Sequence, residues 1–123
     1  MNNRMDRIRK AGYGASLALA AIVTLVLLMP APHPPQPSIN QIDKLAHFLL
    51  FFGLVLPALS VRPRLWIWVV PLAAGFGALL EFIQPHFGRG FEWGDMLANA
   101  VGAICAVPAG FWLHRRIFGA DGV

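Results

Sequence analysis

The chain has 123 residues, 57% of them hydrophobic and 13% charged, with a net charge of +4. A typical soluble domain carries about 25% charged residues, and a chain this small has too few polar groups to cover a water-facing surface. A lipid environment removes that demand, so the composition points to one membrane domain spanning residues 1–123 and argues against a soluble enzyme.

Four apolar runs follow in chain order, at about 15–29, 45–60, 65–83 and 96–113. Each is near the lower length limit for crossing a hydrocarbon core of about 30 Å. The predicted fold is all-α, a four-helix transmembrane bundle. The first run, with its flank an anchor at about 13–29, follows Arg4, Arg7, Arg9 and Lys10, as a signal peptide would. The segment after it lacks a small-x-small cleavage site, so it is read as an uncleaved anchor. Segment 30–40 holds Pro30, Pro32, Pro34, Pro35 and Pro37 and is expected to be an extended loop. Segment 84–95 is expected to be a second loop, with glycines permitting tight turns. Pro57, Pro71 and Pro108 fall inside spans, where they kink or cap locally. Trp66, Trp68, Trp93 and Trp112 lie near run ends, as an aromatic belt requires.

Eight of the ten Lys and Arg residues lie at the two termini and in the loop containing Arg62 and Arg64; Lys44 and Arg89 are the other two. The positive-inside rule therefore places both termini in the cytoplasm. These cations sit at span ends, without interleaved aromatics, so nucleic acid is not an expected partner. Cys105, the one cysteine, lies in an apolar run and reads as a small packing residue rather than a nucleophile.

The remaining polar residues form a pattern. Asp43, Lys44 and His47 open the second span, Glu81 and Gln84 close the third, Arg89 follows in the loop, and Asp95 and Asn99 open the fourth. By the predicted topology all eight lie at the outer membrane surface. Asp43 and His47, and likewise Asp95 and Asn99, are i,i+4 pairs, and Glu81 and Gln84 are i,i+3, so each pair shares a helix face. Lipid is costly for such groups, so these faces should turn toward one another. Ala98, Gly102, Ala106 and Gly110 make a small-residue stripe that admits a close neighbour on nearly the same face.

Taken singly, each polar residue has an ordinary role. Asp43 and Asp95 can cap their helices, Asn99 and Gln84 can bond across helices, and Glu81 can pair with Lys44 or Arg89. Eight at one depth exceed what such roles require and mark a site. His33, His86 and His114 read as solvated or interfacial, and Glu92 as a solvated loop residue. A metal held by His47, Glu81 and Asp95 would suit a hard or borderline cation. No H-x-x-x-H or C-x-x-C spacing supports one, so no metal ligand and no cofactor is assigned.

Asp43-Lys44-x-x-His47-Phe48 with Phe51-Phe52-Gly53-Leu54, then Glu81-x-x-Gln84 and Arg89, then Asp95-x-x-Ala98-Asn99-x-x-Gly102, resemble the three linked motifs of the VanZ-like membrane proteins. The likeness covers about residues 43–110. Its departure is a compact second loop, Phe87-Gly88-Arg89. The resemblance implies an integral protein of the bacterial cell envelope, in the inner membrane, and the name-giving member is associated with low-level teicoplanin resistance. It also implies shared roles for Asp43, Lys44, His47, Glu81, Gln84, Arg89, Asp95, Asn99 and Gly102.

Two functional classes stand side by side. In the first, Asp43, Lys44, Gln84, Arg89 and Asn99 bind an anionic lipid headgroup or lipid-linked envelope precursor. His47, Glu81 and Asp95 are then the candidate catalytic residues, with His47 and Glu81 as an acid–base pair. In the second, the polar cluster holds the helices of a scaffold or accessory protein together. Membrane lipids are the partners common to both.

Overall fold

The computed structural model of the protein describes residues 3–29, 37–88 and 91–119. Four helices account for most of it: α1 (Asn3–Leu28), α2 (Pro37–Val61), α3 (Trp66–Ile83) and α4 (Trp93–Phe118). Short 3-10 turns at Pro63–Leu65 and Gln84–Phe87 precede and follow α3. No strand occurs among the described residues. Each helix, α3 together with its flanking turns, is long and apolar enough to cross a membrane.

The exterior is apolar. Leu17, Leu25, Leu72, Trp68 and Trp93 are each at least 70% exposed. The interior carries the polar groups: His47, Ser60, Glu81, Gln84, Asp95, Asn99 and His114 are all buried. Lipid tails solvate such an exterior and water does not, so this distribution belongs to an integral membrane protein.

The helices outrun the apolar runs that announce them. α1 continues back to Asn3 and so carries its own basic residues, and 26 residues span roughly 39 Å. α2 begins at Pro37 rather than after residue 40, because proline at the first helical position loses no needed donor and already holds a helical φ. The rest of the proline-rich loop lies outside the described residues. The 84–95 segment is shorter than a loop reading suggests: its first four residues coil into a 3-10 turn that closes on Gly88. Gly88 has φ 78°, a left-handed conformation that glycine takes without penalty.

Lipid tails are as apolar as leucine, so close packing rather than the hydrophobic effect joins these helices. α4 buries one stripe, Asp95, Asn99, Gly102, Ala103, Ala106, Gly110 and His114. Its middle is made of small residues that lie against α2. A methyl group placed on Gly102 would strike the backbone oxygen of Phe48, and one on Gly110 would lie 2.6 Å from Leu59 Cβ. Ala98, expected to begin this stripe, is only half-buried, and Asn99 takes its place. Cys105 is exposed, so it meets lipid rather than packing inside.

α1 docks on α2 by a second close approach. Gly12 faces Val61, where an added methyl would lie 2.6 Å from Val61 Cγ1. Four residues later Ser16 Oγ accepts a hydrogen bond of 3.0 Å from the Ala58 N–H, just past Pro57. A proline inside a span disturbs the helical bonds around it, and a hydroxyl from a neighbouring helix restores one of them. Pro57, Pro71 and Pro108 all lie within continuous helices.

The end of the bundle where α2 finishes is basic. Arg9, Arg62, Arg64, Trp68 and His114 line a cavity of about 410 Å³ there. His114 is buried, not interfacial as its position suggests: its Nδ1 donates to the Ser60 carbonyl at 3.0 Å and its ring stacks on Phe118.

The packing yields a paired prediction. Gly102→Ala forces α2 and α4 apart and is expected to cost about 1–3 kcal/mol, as overpacking does. Gly75→Ala meets nothing within 4 Å and should stabilise by up to about 1 kcal/mol through helix propensity. Thermal unfolding followed by size-exclusion chromatography in detergent checks both; equal Tm values for the two variants would contradict the packing described.

Candidate functional site

The other end of the bundle, where α1 and α3 finish and α2 and α4 begin, gathers the polar residues singled out in the sequence. α2 supplies Asp43, Lys44 and His47, α3 and its turn supply Glu81 and Gln84, and α4 supplies Asp95 and Asn99. His47, Glu81, Gln84, Asp95 and Asn99 are each 2% exposed or less. Arg89 lies outside the described residues, as does His33. His86 is exposed on the turn after α3.

His47 is the centre. Its Nδ1 lies 2.8 Å from Asn99 Oδ1, joining α2 to α4. An amide oxygen only accepts, so Nδ1 donates, and Nε2 is the ring nitrogen left to face other groups. Nε2 faces Asp95 Oδ2 at 3.7 Å and Asp43 Oδ2 at 3.9 Å. The bond to Asn99 depends on α3 as well. Gly77 leaves room for the amide: a methyl there would sit 2.8 Å from Asn99 Nδ2 and 3.1 Å from Phe51 Cε1. Gly77 lies four residues before Glu81, on the same face of α3, and that spacing is the sequence signal that identifies it as a site residue.

Glu81 stands beside this group rather than in it. Its Oε1 accepts a 2.7 Å bond from the Glu92 backbone N–H. The aromatic series Phe82, Phe91 and Trp93, with ring centroids 5.2 and 5.0 Å apart, brings that N–H into place by folding the end of the loop against α3. The expected His47–Glu81 pairing is therefore replaced by His47 with Asp43 and Asp95. Gln84 reaches in the other direction and donates from Nε2 to the Leu27 carbonyl at 2.9 Å, tying the end of α1 to the site.

Glu92 is not the purely solvated loop residue its sequence setting suggests. Its carboxylate pairs with Lys44 Nζ at 3.0 Å, at the half-exposed rim. Lys44 thus pairs with Glu92 rather than with Glu81. Its side chain lies over Gly94, where a methyl group would collide with Lys44 Cε. The capping roles do not hold either. Asp43 is six residues inside α2, and Glu92 occupies the cap position of α4, leaving Asp95 in its first turn.

Five buried atoms at this end have no hydrogen-bond partner among the described residues: His47 Nε2, Glu81 Oε2, Gln84 Oε1, Asp95 Oδ1 and Asn99 Nδ2. A buried polar group without a partner costs roughly 1–3 kcal/mol. Interhelical glue alone would satisfy these atoms against one another, as the Gln84–Leu27 bond satisfies one end of Gln84. Left unpaired at one end of the bundle, they offer acceptors and a donor to a molecule or ion that is not part of the chain.

The motifs that bring these residues together correspond to a known family. The family model described as VanZ/LLP1 matches residues 6–115, which is nearly the whole chain and includes α1 as well as the three motif-bearing helices. No curated protein and no solved structure matches the chain. This integral membrane protein belongs to the VanZ/LLP1 family.

Proposed function

We propose that the protein resides in the cytoplasmic membrane of a bacterium with both termini in the cytoplasm. Its polar end then faces outward and binds, or acts on, an anionic lipid headgroup or lipid-linked envelope precursor. The observation that carries this reading is the set of five unpartnered polar atoms buried at one end of the bundle. Their position suits a headgroup, because a lipid lying beside the helices presents its polar part at the depth of the helix ends. Lys44, at the rim, is the described cation for an anionic group, with Arg89 following α3 in sequence. Asp43, Gln84 and Asn99 complete the binding set.

Any chemistry would fall to His47, Glu81 and Asp95. No serine or cysteine is among Asp43, Lys44, His47, Glu81, Gln84, Asp95 and Asn99, so an activated water, or a covalent step on His47 or a carboxylate, are the routes open to it. Altered susceptibility to a glycopeptide such as teicoplanin would then be a consequence of changed precursor handling in the cell envelope.

A specific observation also favours the scaffold reading. The His47–Asn99, Glu81–Glu92 and Gln84–Leu27 bonds join all four helices. The readings separate on Glu81→Gln, which keeps an oxygen to accept from the Glu92 N–H but loses the charge. Native mass spectrometry of gently extracted protein is expected to show a discrete lipid-sized adduct on the wild type. Folded Glu81→Gln and Arg89→Ala should lack it. A wild type without adduct, with Glu81→Gln that fails to accumulate, would favour the scaffold.

The orientation has its own check. A fluorescent protein that matures only in the cytoplasm, fused after residue 123, is expected to fluoresce, and a phosphatase active only outside should be silent at the same point. The opposite pattern would turn the polar end inward.

A further inference from the structure

Asp43, His47 and Asp95 each present one ligand atom, and these atoms lie within 4.8 Å of one another. His47 Nε2 is 3.7 Å from Asp95 Oδ2 and 3.9 Å from Asp43 Oδ2. Those separations exceed a hydrogen bond. Tetrahedral ligands with bonds of about 2.0–2.2 Å stand about 3.3–3.6 Å apart, so the three groups are a few tenths of an ångström wider than a closed site and would draw in on an ion.

The ring orientation points the same way from an independent observation. His47 is wholly buried, and its Nδ1 proton is committed to Asn99 Oδ1. In the neutral tautomer that this bond selects, the lone pair on Nε2 is aimed at two carboxylate oxygens. Three electron-rich atoms facing one another repel unless positive charge lies between them. Nε2 and Asp95 Oδ1 have no hydrogen-bond partner among the described residues, and the nearby cation Lys44 is paired with Glu92. A ligating histidine typically donates its other ring N–H to an oxygen acceptor, which fixes the tautomer and the ring direction. Asn99 does this for His47, and Gly77 makes room for Asn99.

We propose that Asp43, His47 and Asp95 bind one divalent first-row transition cation of the Zn2+ or Mn2+ class. The imidazole favours these over Mg2+ and Ca2+, and the absence of thiolate among the ligands disfavours soft ions such as Cu+. His47 and Asp95 close the inner side, whereas the Asp43 side chain is 32% exposed. The ion therefore keeps an open position toward the mouth, the arrangement in which a metal takes an outside ligand. The binding of the ion stands on its own geometry. One further clause rests on the headgroup reading: the open position of the ion would accept a phosphate oxygen.

The test uses full-length protein in detergent without added phospholipid, its purification tag removed. It is stripped with a chelator, re-equilibrated with Zn2+, desalted and analysed for metal by mass spectrometry. The expected result is one Zn2+ per chain, with affinity lowered at least tenfold in Asp43→Asn and in His47→Gln, and unchanged in His114→Gln. Asp43→Asn is the decisive variant, because Asp43 takes no part in the Asn99 bond and sits at the mouth; its elution and circular dichroism should match the wild type. With Co2+ in place of Zn2+, the wild type should show visible absorption that Asp43→Asn weakens. Folded wild type that takes up no stoichiometric ion, or folded Asp43→Asn that keeps wild-type affinity, overturns the proposal and leaves a proton between the three groups. Stoichiometric Zn2+ without a headgroup adduct would defeat the headgroup reading alone. An adduct on protein that binds no metal would defeat the metal proposal alone.

Discussion

The near-contact of α2 and α4 backbones at Gly102 sets the rest of the arrangement. Where Gly102 meets the Phe48 carbonyl, the helices are closer than any side chain would allow. His47 directly precedes Phe48, and Asn99 lies three residues before Gly102 on the same helical face. A hydrogen bond of 2.8 Å between these two side chains needs the helices that close. Asp43 and Asp95 then follow one turn further out on the same two faces, which is why both carboxylates come to His47 and Glu81 does not. The small-residue contact and the polar group are successive turns of a single interface.

That interface explains an unusual division of labour between the two ends. Both contain a buried histidine whose Nδ1 donates to an oxygen across the bundle: His47 to Asn99, His114 to the Ser60 carbonyl. Around His114 the charged groups are cations, Arg9, Arg62 and Arg64. Around His47 they are mainly carboxylates. Arginines at a span end serve orientation, and their long stems keep the charge in water. Asp95, in the first turn of α4, has a short side chain, is 2% exposed and cannot withdraw in the same way. Its burial therefore asks for positive charge brought to it.

Much of this was legible in the sequence, for reasons that differ between residues. Hydropathy identifies the four helices because lipid demands it, and i,i+4 spacing pairs Asp43 with His47 and Asp95 with Asn99 because a helix has no other geometry. Helix ends were less legible. Pro37 at a first turn and the polar start of α1 both extend helices beyond their apolar runs, since helix formation and lipid burial have different requirements. Partner choice was not legible at all. Lys44 takes Glu92 instead of Glu81 because the Phe82–Phe91–Trp93 contacts fold the loop back and present the Glu92 N–H to Glu81 first. Aromatic loop packing of that kind leaves no periodicity to read. Gly77 is easily missed because a glycine in a span looks like packing, and Gly94 because a loop glycine looks like a turn former, whereas here each makes room for a polar side chain.

The distinction between a glue and a site comes down to whether the polar atoms are used up. In the cross-helix bonds of Glu81, Gln84 and Asn99, one polar atom of each is taken and the other is left. The satisfied atom holds the side chain in one direction; the remaining atom is thereby aimed. His47 is the clearest instance, with Nδ1 anchored and Nε2 directed at Asp43 and Asp95. A network built only for cohesion gains nothing from leaving its outer atoms unpaired, because each carries a desolvation cost of roughly 1–3 kcal/mol. Side chains that are half-committed in this way make a rigid cradle, and the bonds that join the helices are what give the cradle its geometry.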